Sequence, residues 1–188
     1  MKKITVSKAI GEALHEEMLR DKNVFIMGED MAVMGNVFAI TKGFLEEFGP
    51  NRVIDTPISE TFIIGGGVGA ALAGARPVVD MHFADFIGVP MDEIFNQMAK
   101  VRYMFGGQAK VPLVLRAPDG SAGGGAAQHS QCVESWFAHI PGITRENCLL
   151  IGDSPSSDIR GANNVGIPCY WYDPHGTALP EDLRIDYR

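Results

Sequence analysis

Short apolar segments of strand length recur along this chain, and a helix-like segment follows most of them. The predicted strands are Val24–Met27, Val53–Asp55, Pro77–Phe83, Val111–Leu115, Cys148–Ile151 and Pro168–Tyr172. Helical spacing of apolar residues predicts helices over Ser7–Arg20, Lys42–Phe48, Gly65–Ala73, Met91–Phe105, Val133–His139 and Asp158–Val165. This alternation predicts a three-layer α/β fold with a mostly parallel sheet, because parallel neighbours need crossover connections.

Polar residues follow the carboxyl ends of several predicted strands. They are Gly28–Asp30, Ser59–Glu60, Ala84–Asp85, Pro118–Asp119 and Gly152–Ser154. Open parallel sheets bind their ligands outside the carboxyl ends of the strands, so we expect the functional site at that edge.

The composition is that of an ordinary globular domain, and it argues against several classes of function. The 188 residues are 46% hydrophobic and carry a formal net charge of −7, so we expect no nucleic-acid partner. The longest apolar run, Ile63–Gly74, is shorter than the roughly 20 residues of a membrane span, so we expect no membrane association. No signal peptide is apparent, and the three cysteines form no CxxC pair, which favours a cytoplasmic protein with free thiols.

Glu60 ends the segment Asp55–Glu60, just after a predicted strand and at a place where a helix can begin. A half-buried carboxyl group there could exchange a proton with a ring nitrogen. It could equally be a first-turn glutamate that the helix dipole stabilises. Both interpretations stay open on the sequence alone.

The glycine-rich segment Gly65–Ala70 fits the G-x-G-x-x-A pattern of dinucleotide-binding loops. The strand before it is poor, however, and glycines such as Gly66 and Gly69 also permit close helix packing. We favour packing as the reason for these glycines.

Two further groups of polar residues allow both a functional and a structural interpretation. His129 follows a glycine-rich loop and could transfer protons, or it could be an ordinary surface histidine. It precedes Cys132 by three residues, but no second ligand pair appears, so we expect no zinc site. Asp153 and Asp158 flank a strand end, where they suit Mg²⁺ or belong to a capped helix start.

Six segments in the first three quarters of the chain form a dense, ordered pattern. They are Val24–Asp30, Arg52–Glu60, Gly69–Pro77, Arg102–Gly107, Ala127–Gln131 and Trp136–Gly142. In this pattern residues 1–142 resemble the beta subunit of thiamine-diphosphate-dependent 2-oxo-acid dehydrogenases. Phe86–Val89 and Tyr103–Gly107 are most similar to the acetoin dehydrogenase branch, with the pyruvate and branched-chain enzymes next. The resemblance implies a pyrimidine-binding domain that contributes half of a thiamine diphosphate site.

The resemblance also implies roles for individual residues. Glu60 would hydrogen-bond the aminopyrimidine ring of the cofactor and promote the tautomer that deprotonates the thiazolium carbon. Phe86 would pack on that ring, and Ile58 would be a further cofactor contact. Glu29 would lie in an acidic tunnel between paired active sites. His129 would lie near the substrate and act in reductive acylation.

Further cofactors and partners follow from the same resemblance. The carbonyl group of Leu113 would bind a structural K⁺. An alpha subunit would hold the diphosphate and Mg²⁺, and a lipoyl-bearing acyltransferase would accept the acyl group. The reaction would be decarboxylation of a 2-oxo acid or cleavage of acetoin. Because the chain lacks both the alpha subunit and the family's C-terminal domain, we expect it to be inactive alone.

Residues 143–188 depart from that family. Similarity to the last acidic motif of haloacid-dehalogenase-like hydrolases lies in Cys148–Ser154, Asp158–Ile167 and Tyr170–Pro174. There Asp153 and Asp158 match carboxylates beside Mg²⁺, but no D-x-D nucleophile precedes them. We expect a chimera whose foreign strand–helix–strand unit completes the same sheet, with strand 148–151 beside 111–115. The alternatives are a phosphatase fragment and a folded inactive module.

Overall fold

The computed structural model describes residues 4–120, 124–141, 144–173 and 176–187. The chain divides into two compact units, Met1–Pro118 and Asp119–Arg188. The expected join after residue 142 falls on residues 142 and 143, which lie outside the described residues, so that domain boundary stays a prediction.

The first unit is built on a four-stranded sheet. Its strands are β1 (Val24–Gly28), β2 (Val53–Asp55), β3 (Arg76–Asp80) and β4 (Val114–Arg116). Its α-helices are α1 (Val6–Arg20), α2 (Phe44–Phe48), α3 (Glu60–Leu72) and α4 (Val101–Met104). The strand order is β2-β1-β3-β4, and all neighbours run parallel. The predicted α/β fold with a mostly parallel sheet is confirmed.

An apolar cluster fills the space around α1, α2 and the β1–β2 side of the sheet. Its buried members are Met18, Val24, Ile26, Met31, Phe44 and Val53. Arg52 fixes the same corner, because its guanidinium donates to the backbone carbonyls of Asp21 and Val24. Burying a large apolar side chain contributes about 1.5–3 kcal/mol, so this cluster is a main source of stability.

Helix α3 packs on the sheet through one glycine in particular. A Cβ atom on Gly67 would lie 2.6 Å from Cγ1 of Val79 and 2.9 Å from Cδ1 of Leu113. Gly66 and Gly69, the glycines expected to serve packing, have ordinary contacts or open space instead. The glycine-rich segment lies inside the helix and not at a strand–helix turn, which excludes a dinucleotide loop. Packing is therefore the correct interpretation, with Gly67 as the position that requires it.

Three predicted helices differ most from those observed. The one predicted over Asp158–Val165 is a π-helix (Pro155–Ile159) followed by an α-helix (Arg160–Val165). Helix α3 begins at Glu60 and not at Gly65, because Ser59 (φ −153°, ψ 85°) is its non-helical N-cap. The helix predicted over Met91–Phe105 is divided into a π-helix (Glu93–Met98) and α4. A 3-10 turn (Ala84–Gly88) precedes them. No helix in the described ranges is long and apolar enough to cross a membrane.

The second unit contains its own strand–helix–strand arrangement. Strands β5 (Leu150–Gly152) and β6 (Cys169–Trp171) are parallel, and α6 (Arg160–Val165) lies between them in sequence. The remaining helical segments are 3-10 turns at Ala127–His129 and Arg145–Asn147, α5 (Glu134–Phe137) and a π-helix at Pro155–Ile159. The buried core of the unit contains Ile159, Ala162, Cys169, Trp171 and Leu183.

The expectation that the strand at 148–151 lies beside the strand at 111–115 in one sheet is wrong. Leu150 lies opposite Cys169 on β6, whereas β4 pairs with β3. Among the described residues the two units have separate sheets. The physical reason is local: β6 belongs to the same strand–helix–strand segment as β5 and satisfies its backbone groups over a short connection.

Candidate functional site

The carboxyl ends of the four parallel strands of the first unit meet at one edge of the sheet. We call this the carboxyl edge. Its polar residues are Glu29 after β1, Thr56 after β2, Asp80 and His82 at the end of β3, and Arg116 at the end of β4. Helix α3 also starts on this side, because it follows β2 directly. Residues far apart in sequence are thus collected where parallel sheets bind ligands.

Glu60 is the first residue of α3 and is partly buried. A negative side chain in the first turn is stabilised by the helix dipole, typically by about 0.3–1 kcal/mol. The first-turn position anticipated from the sequence is therefore confirmed. It is compatible with a second role, because a carboxyl group at the carboxyl edge can also face a ligand.

Glu29 is held by His82 and lies within electrostatic reach of Glu60. Its Oε2 atom is 3.2 Å from Nδ1 of His82, and its backbone carbonyl oxygen is 2.9 Å from Nε2 of the same ring. The two side chains are 17% and 11% exposed. Burial raises the pKa of Glu29 above its ordinary value, His82 opposes that rise, and the charges of Glu60 and Asp30 add to it. Two mutually repelling carboxyl groups therefore lie near one another at this edge.

Asp80 anchors a buried polar network that the sequence did not reveal. It is 2% exposed and forms an ion pair with Arg116. The side-chain amide of Asn36, also buried, donates to Oδ1 of Asp80 at 3.0 Å. Burial raises the pKa of Asp80, while Arg116 and then His82 and Asn36 act against the rise. Asn36, Asp80 and Arg116 come from separate segments, and the parallel register of β3 and β4 places only Asp80 and Arg116 opposite each other.

The segment between β1 and α2 is tied down beside this network. Oδ1 of Asp55, at the end of β2, accepts a hydrogen bond from the backbone N–H of Ala32 at 2.6 Å. The hydroxyl of Thr41 donates to the carbonyl of Met31 at 2.7 Å. Asn36 has a φ of +71°, a left-handed conformation that asparagine tolerates. This segment is therefore an ordered wall of the carboxyl edge.

Thr56 supplies a polar group that no described residue satisfies. Its Oγ1 atom is buried and has no hydrogen-bond partner in the described ranges. Buried polar atoms in native proteins nearly always have a partner, which can be a ligand or an ordered water. The carboxyl edge therefore has unused hydrogen-bonding capacity next to β2.

Phe86 lies in the 3-10 turn after β3 and is partly buried. Its ring centroid is 6.5 Å from that of Phe83, which is in turn 6.2 Å from that of Phe38. Both pairs are edge-to-face, an arrangement that stabilises aromatic clusters. The contact of Phe86 with a cofactor ring stays a prediction.

Large apolar side chains are exposed near Glu60 and elsewhere on the first unit. Ile58, expected to contact a cofactor, is 81% exposed, and Phe62 in the first turn of α3 is 53% exposed. Tyr103, Met104 and Phe105 at the end of α4 are exposed as well. Contiguous exposed apolar patches often mark interaction surfaces, whereas scattered exposed apolar residues are normal.

Leu113 precedes β4 and is partly buried. Its backbone N–H donates to the carbonyl of Val111 at 2.8 Å, and its side chain approaches Gly67 of α3. Its main chain is thus fixed beside the sheet, while its carbonyl group as a K⁺ ligand stays a prediction.

The second unit carries the remaining predicted site residues. His129 ends a 3-10 turn and is partly buried. Oδ2 of Asp158 accepts backbone N–H groups of Asp153 and Ser154, both at 3.0 Å, so Asp158 organises the loop after β5. A Cβ atom on Gly152 would collide with this carboxylate. The side chain of Asp153 is exposed. The structural interpretation thus applies to Asp158, and a Mg²⁺ role for both aspartates stays a prediction.

A group of possible metal ligands in the second unit does not include His129. Single ligand atoms of Asp119, Cys132 and Glu134 lie within 4.8 Å of one another. Structural zinc sites in proteins have four protein ligands, so this group is one ligand short.

Two family models match the chain. The transketolase pyrimidine-binding domain matches residues 2–150, and a haloacid-dehalogenase-hydrolase-like model matches residues 124–187. The first match covers most of the chain. The second begins before residue 143, so the hydrolase-like similarity extends further towards the N-terminus than the motifs in the sequence indicated.

Curated relatives and a solved structure support the first match. The chain is 48% identical over 142 residues to "Pyruvate dehydrogenase E1 component subunit beta-1, mitochondrial" of Oryza sativa subsp. japonica, covering 76% of this chain and 38% of the relative. It is 44% identical over 152 residues to "Acetoin:2,6-dichlorophenolindophenol oxidoreductase subunit beta" of Cupriavidus necator, covering 76% and 45%. A "Split gene transketolase, inactive beta4 tetramer" has a TM-score of 0.55 at 20% identity, covering 90% of this chain and 50% of that one. The last similarity shows the fold. The chain spans less than half the length of both curated relatives.

Proposed function

The chain belongs to the transketolase pyrimidine-binding domain family, and we propose that it is the beta-subunit half of a thiamine diphosphate site. The parent reaction is decarboxylation of a 2-oxo acid or cleavage of acetoin. Support for this class comes from the relatives, which are named as beta subunits of pyruvate dehydrogenase E1 and of an acetoin oxidoreductase.

The observation that carries the proposal is the position of Glu60. It starts α3 at the carboxyl edge, where its charge acts on Glu29, and the exposed residues Ile58 and Phe62 flank it in sequence. A carboxyl group held there can share a proton with a ring nitrogen of a ligand that lies against the apolar surface. The unsatisfied hydroxyl of Thr56 and the partly buried ring of Phe86 suit the same kind of ligand.

The residues present fit the aminopyrimidine end of thiamine diphosphate better than its diphosphate end. Glu29, Glu60 and the ring of Phe86 suit a heteroaromatic ring, whereas Arg116, the basic residue of the carboxyl edge, is already paired with Asp80. Bound thiamine diphosphate would supply a stabilised carbanion for the 2-oxo acid or acetoin. Glu60 would hold a proton at a ring nitrogen, Phe86 and Ile58 would orient the ring, and Glu29 would line the acidic side. His129 in the second unit would act near the substrate.

The other half of the site would come from an alpha subunit. We propose that this partner covers the exposed apolar residues Ile58, Phe62, Tyr103, Met104 and Phe105. The alpha subunit would also hold the diphosphate and Mg²⁺. On this chain, the carbonyl group of Leu113 would bind K⁺. A lipoyl-bearing acyltransferase would take the acyl group. The composition favours the cytoplasm, and the chain alone would be inactive.

We further propose that residues 143–188 replace a natural part of the beta subunit and do not act as a phosphatase. Oδ2 of Asp158 is already engaged by two backbone N–H groups, which supports a structural role. Incubation with Mg²⁺ and p-nitrophenyl phosphate should give no turnover. Hydrolysis that Asp153→Asn abolishes would instead support the hydrolase alternative.

Titration calorimetry with thiamine diphosphate tests the main proposal. The full chain would be mixed with the alpha subunit that partners the Cupriavidus necator relative, in the presence of Mg²⁺. We expect cofactor binding by the mixture that exceeds binding by either chain alone, and weaker binding with Glu60→Gln. Glu46→Gln is the matched control, because Glu46 is also a first-turn glutamate but belongs to α2. Equal binding by both variants would refute the role of Glu60.

A further inference from the structure

We propose that Asn36 is a positioning residue for Phe86, and that it acts by holding the ring of Phe38 against the ring of Phe83. We call Phe38, Phe83 and Phe86 the aromatic row. The contacts within the row and with Asn36 are independent of any cofactor, while their consequence for a cofactor rests on the proposed function. No motif in the sequence indicated Asn36.

The side-chain amide of Asn36 bridges two segments that are far apart in sequence. Its Nδ2 atom donates to Oδ1 of Asp80 at 3.0 Å, and its Oδ1 atom accepts the backbone N–H of Phe38 at 2.8 Å. The chemistry of the partners fixes this orientation of the amide, because a backbone N–H can only donate and a carboxylate paired with Arg116 can only accept. Asn36 is 2% exposed, so water does not compete for these hydrogen bonds.

These hydrogen bonds close a loop of contacts that begins and ends at Asp80. From Asp80 the loop runs through the amide of Asn36 to Phe38. It then crosses to Phe83, whose ring centroid is 6.2 Å from that of Phe38. Phe83 lies three residues after Asp80, so the main chain completes the loop. The amide of Asn36 therefore sets the distance between the two segments whose rings meet.

The segment that carries Phe83 and Phe86 is itself fixed beside the sheet. The backbone N–H of Ala84 donates to the carbonyl of Pro118 at 2.8 Å, and that of Phe86 donates to the carbonyl of Phe83 at 3.2 Å. The rings of Phe83 and Phe86 meet edge-to-face with their centroids 6.5 Å apart. Because such contacts depend on ring orientation, the place of Phe38 constrains the ring of Phe86 through Phe83.

Asparagine suits position 36 for two physical reasons. Its φ of +71° is a left-handed conformation, which glycine, asparagine and aspartate adopt more readily than other residues. Of these three, only asparagine has both a donor and an acceptor in its side chain at neutral pH. Glycine would keep the backbone conformation without the bridge, and an ionised aspartate could not donate to Asp80.

The orientation of Phe86 bears on cofactor binding because this residue would pack on the aminopyrimidine ring. A side chain that is held in place before the ligand arrives does not have to be ordered on binding. Ordering one side chain at an interface changes an affinity by roughly 2- to 10-fold. We therefore expect Asn36 to contribute to affinity without touching the cofactor.

Nuclear magnetic resonance of the full chain with selectively labelled phenylalanine rings tests the contacts without any cofactor. We expect a nuclear Overhauser effect between the rings of Phe38 and Phe83 in the wild type and its loss in Asn36→Gly. Thr41→Val is the matched control, because it removes a hydrogen bond from Thr41 to the carbonyl of Met31 in the same segment but outside the loop of contacts. The ring contact should persist in that variant.

Titration calorimetry tests whether Asn36 acts through Phe86. In the mixture with alpha subunit and Mg²⁺, Asn36→Gly should weaken thiamine diphosphate binding by roughly 2- to 10-fold. In a Phe86→Leu background the same substitution should have no further effect, because the ring through which Asn36 acts is absent. A substitution that only destabilised the fold would weaken binding equally in both backgrounds, and that result would refute the positioning role.

Two results of the resonance experiment would overturn the proposal. One is a contact between Phe38 and Phe83 that persists in Asn36→Gly, and the other is an equal loss of that contact in Thr41→Val. If Asn36→Gly does not fold, Asn36→Asp at pH 7 serves instead, because it keeps an acceptor for the N–H of Phe38 and loses the donor. The same loss of ring contact is expected there, and a persisting contact would contradict the proposal. These signals need neither alpha subunit nor cofactor, so failure of the calorimetric test of Glu60 would leave them intact.

Discussion

The buried ion pair between Asp80 and Arg116 leads to a stability prediction with a calculable upper limit. Arg116→Met removes the positive charge but keeps a long side chain. It leaves a carboxylate that is 2% exposed and that, in the part of the chain that the structure describes, has Asn36 as its remaining donor. Breaking a buried pair in this way typically costs about 3–5 kcal/mol. The protein can avoid a larger loss by protonating Asp80. From an ordinary pKa of about 3.9, protonation at pH 7 costs about 4 kcal/mol, and at pH 5 about 1.5 kcal/mol.

We therefore expect Arg116→Met to lower the free energy of unfolding by about 3–4 kcal/mol at pH 7 and by no more than roughly 2 kcal/mol at pH 5. Urea unfolding followed by circular dichroism at both pH values measures this. Arg76→Met is the control, because the ion pair of Arg76 with Asp21 is more exposed and should contribute less than about 1 kcal/mol. A loss that is equal at pH 5 and pH 7 would refute the reasoning, since a charge left unpaired would then not be its cause.

Three further stability predictions follow from the contacts described above. Gly67→Ala should lower the free energy of unfolding by about 1–3 kcal/mol, because the added methyl group overpacks the contact with the sheet. Gly69→Ala, which meets open space, should leave the free energy of unfolding unchanged or raise it by up to about 1 kcal/mol through helix propensity. Urea unfolding midpoints distinguish the two variants, and equal effects would contradict the clash at Gly67. Asp158→Ala should lower the free energy of unfolding of the second unit by about 1–3 kcal/mol, because two backbone N–H groups lose their acceptor. An unchanged thermal unfolding temperature of that unit would contradict this prediction. Burial raises the pKa of Glu29 and Asp80, so these groups bind protons more tightly in the folded state than in the unfolded chain. Their contribution to the free energy of unfolding should therefore fall as pH rises from about 4 through the folded pKa values. The wild type is compared with a Glu29→Gln, Asp80→Asn double variant, and a stability difference that rises with pH would contradict this prediction.

Much of the fold could be predicted from the sequence because the signals are local. Apolar runs bounded by glycine or acidic residues predict strands close to β1, β2 and β3. Glu60 lies where the sequence allows a helix to begin, but the predicted helix starts only at Gly65, five residues too late. The parallel sheet followed from the alternation of strands with helices.

What could not be predicted depends on long-range register. Asn36, Asp80 and Arg116 carry no shared motif, and only the pairing of β3 with β4 brings the last two together. The same is true of His82, which meets Glu29 through the pairing of β1 with β3. The sequence pattern predicts the wrong sheet for β5, because a parallel strand in either sheet would satisfy its backbone hydrogen bonds equally and the pattern does not distinguish the two partners.

The central claim concerns Glu60 as the proton partner of an aminopyrimidine ring. The most direct measurement is the rate at which the thiazolium carbon of thiamine diphosphate exchanges its proton for deuterium in the mixture of full chain, alpha subunit and Mg²⁺. Positioned acid–base groups contribute about 10²–10⁴-fold to such steps, so Glu60→Gln should slow the exchange by at least roughly 100-fold while Glu46→Gln leaves it unchanged. An exchange rate in Glu60→Gln equal to that of the wild type would contradict the claim.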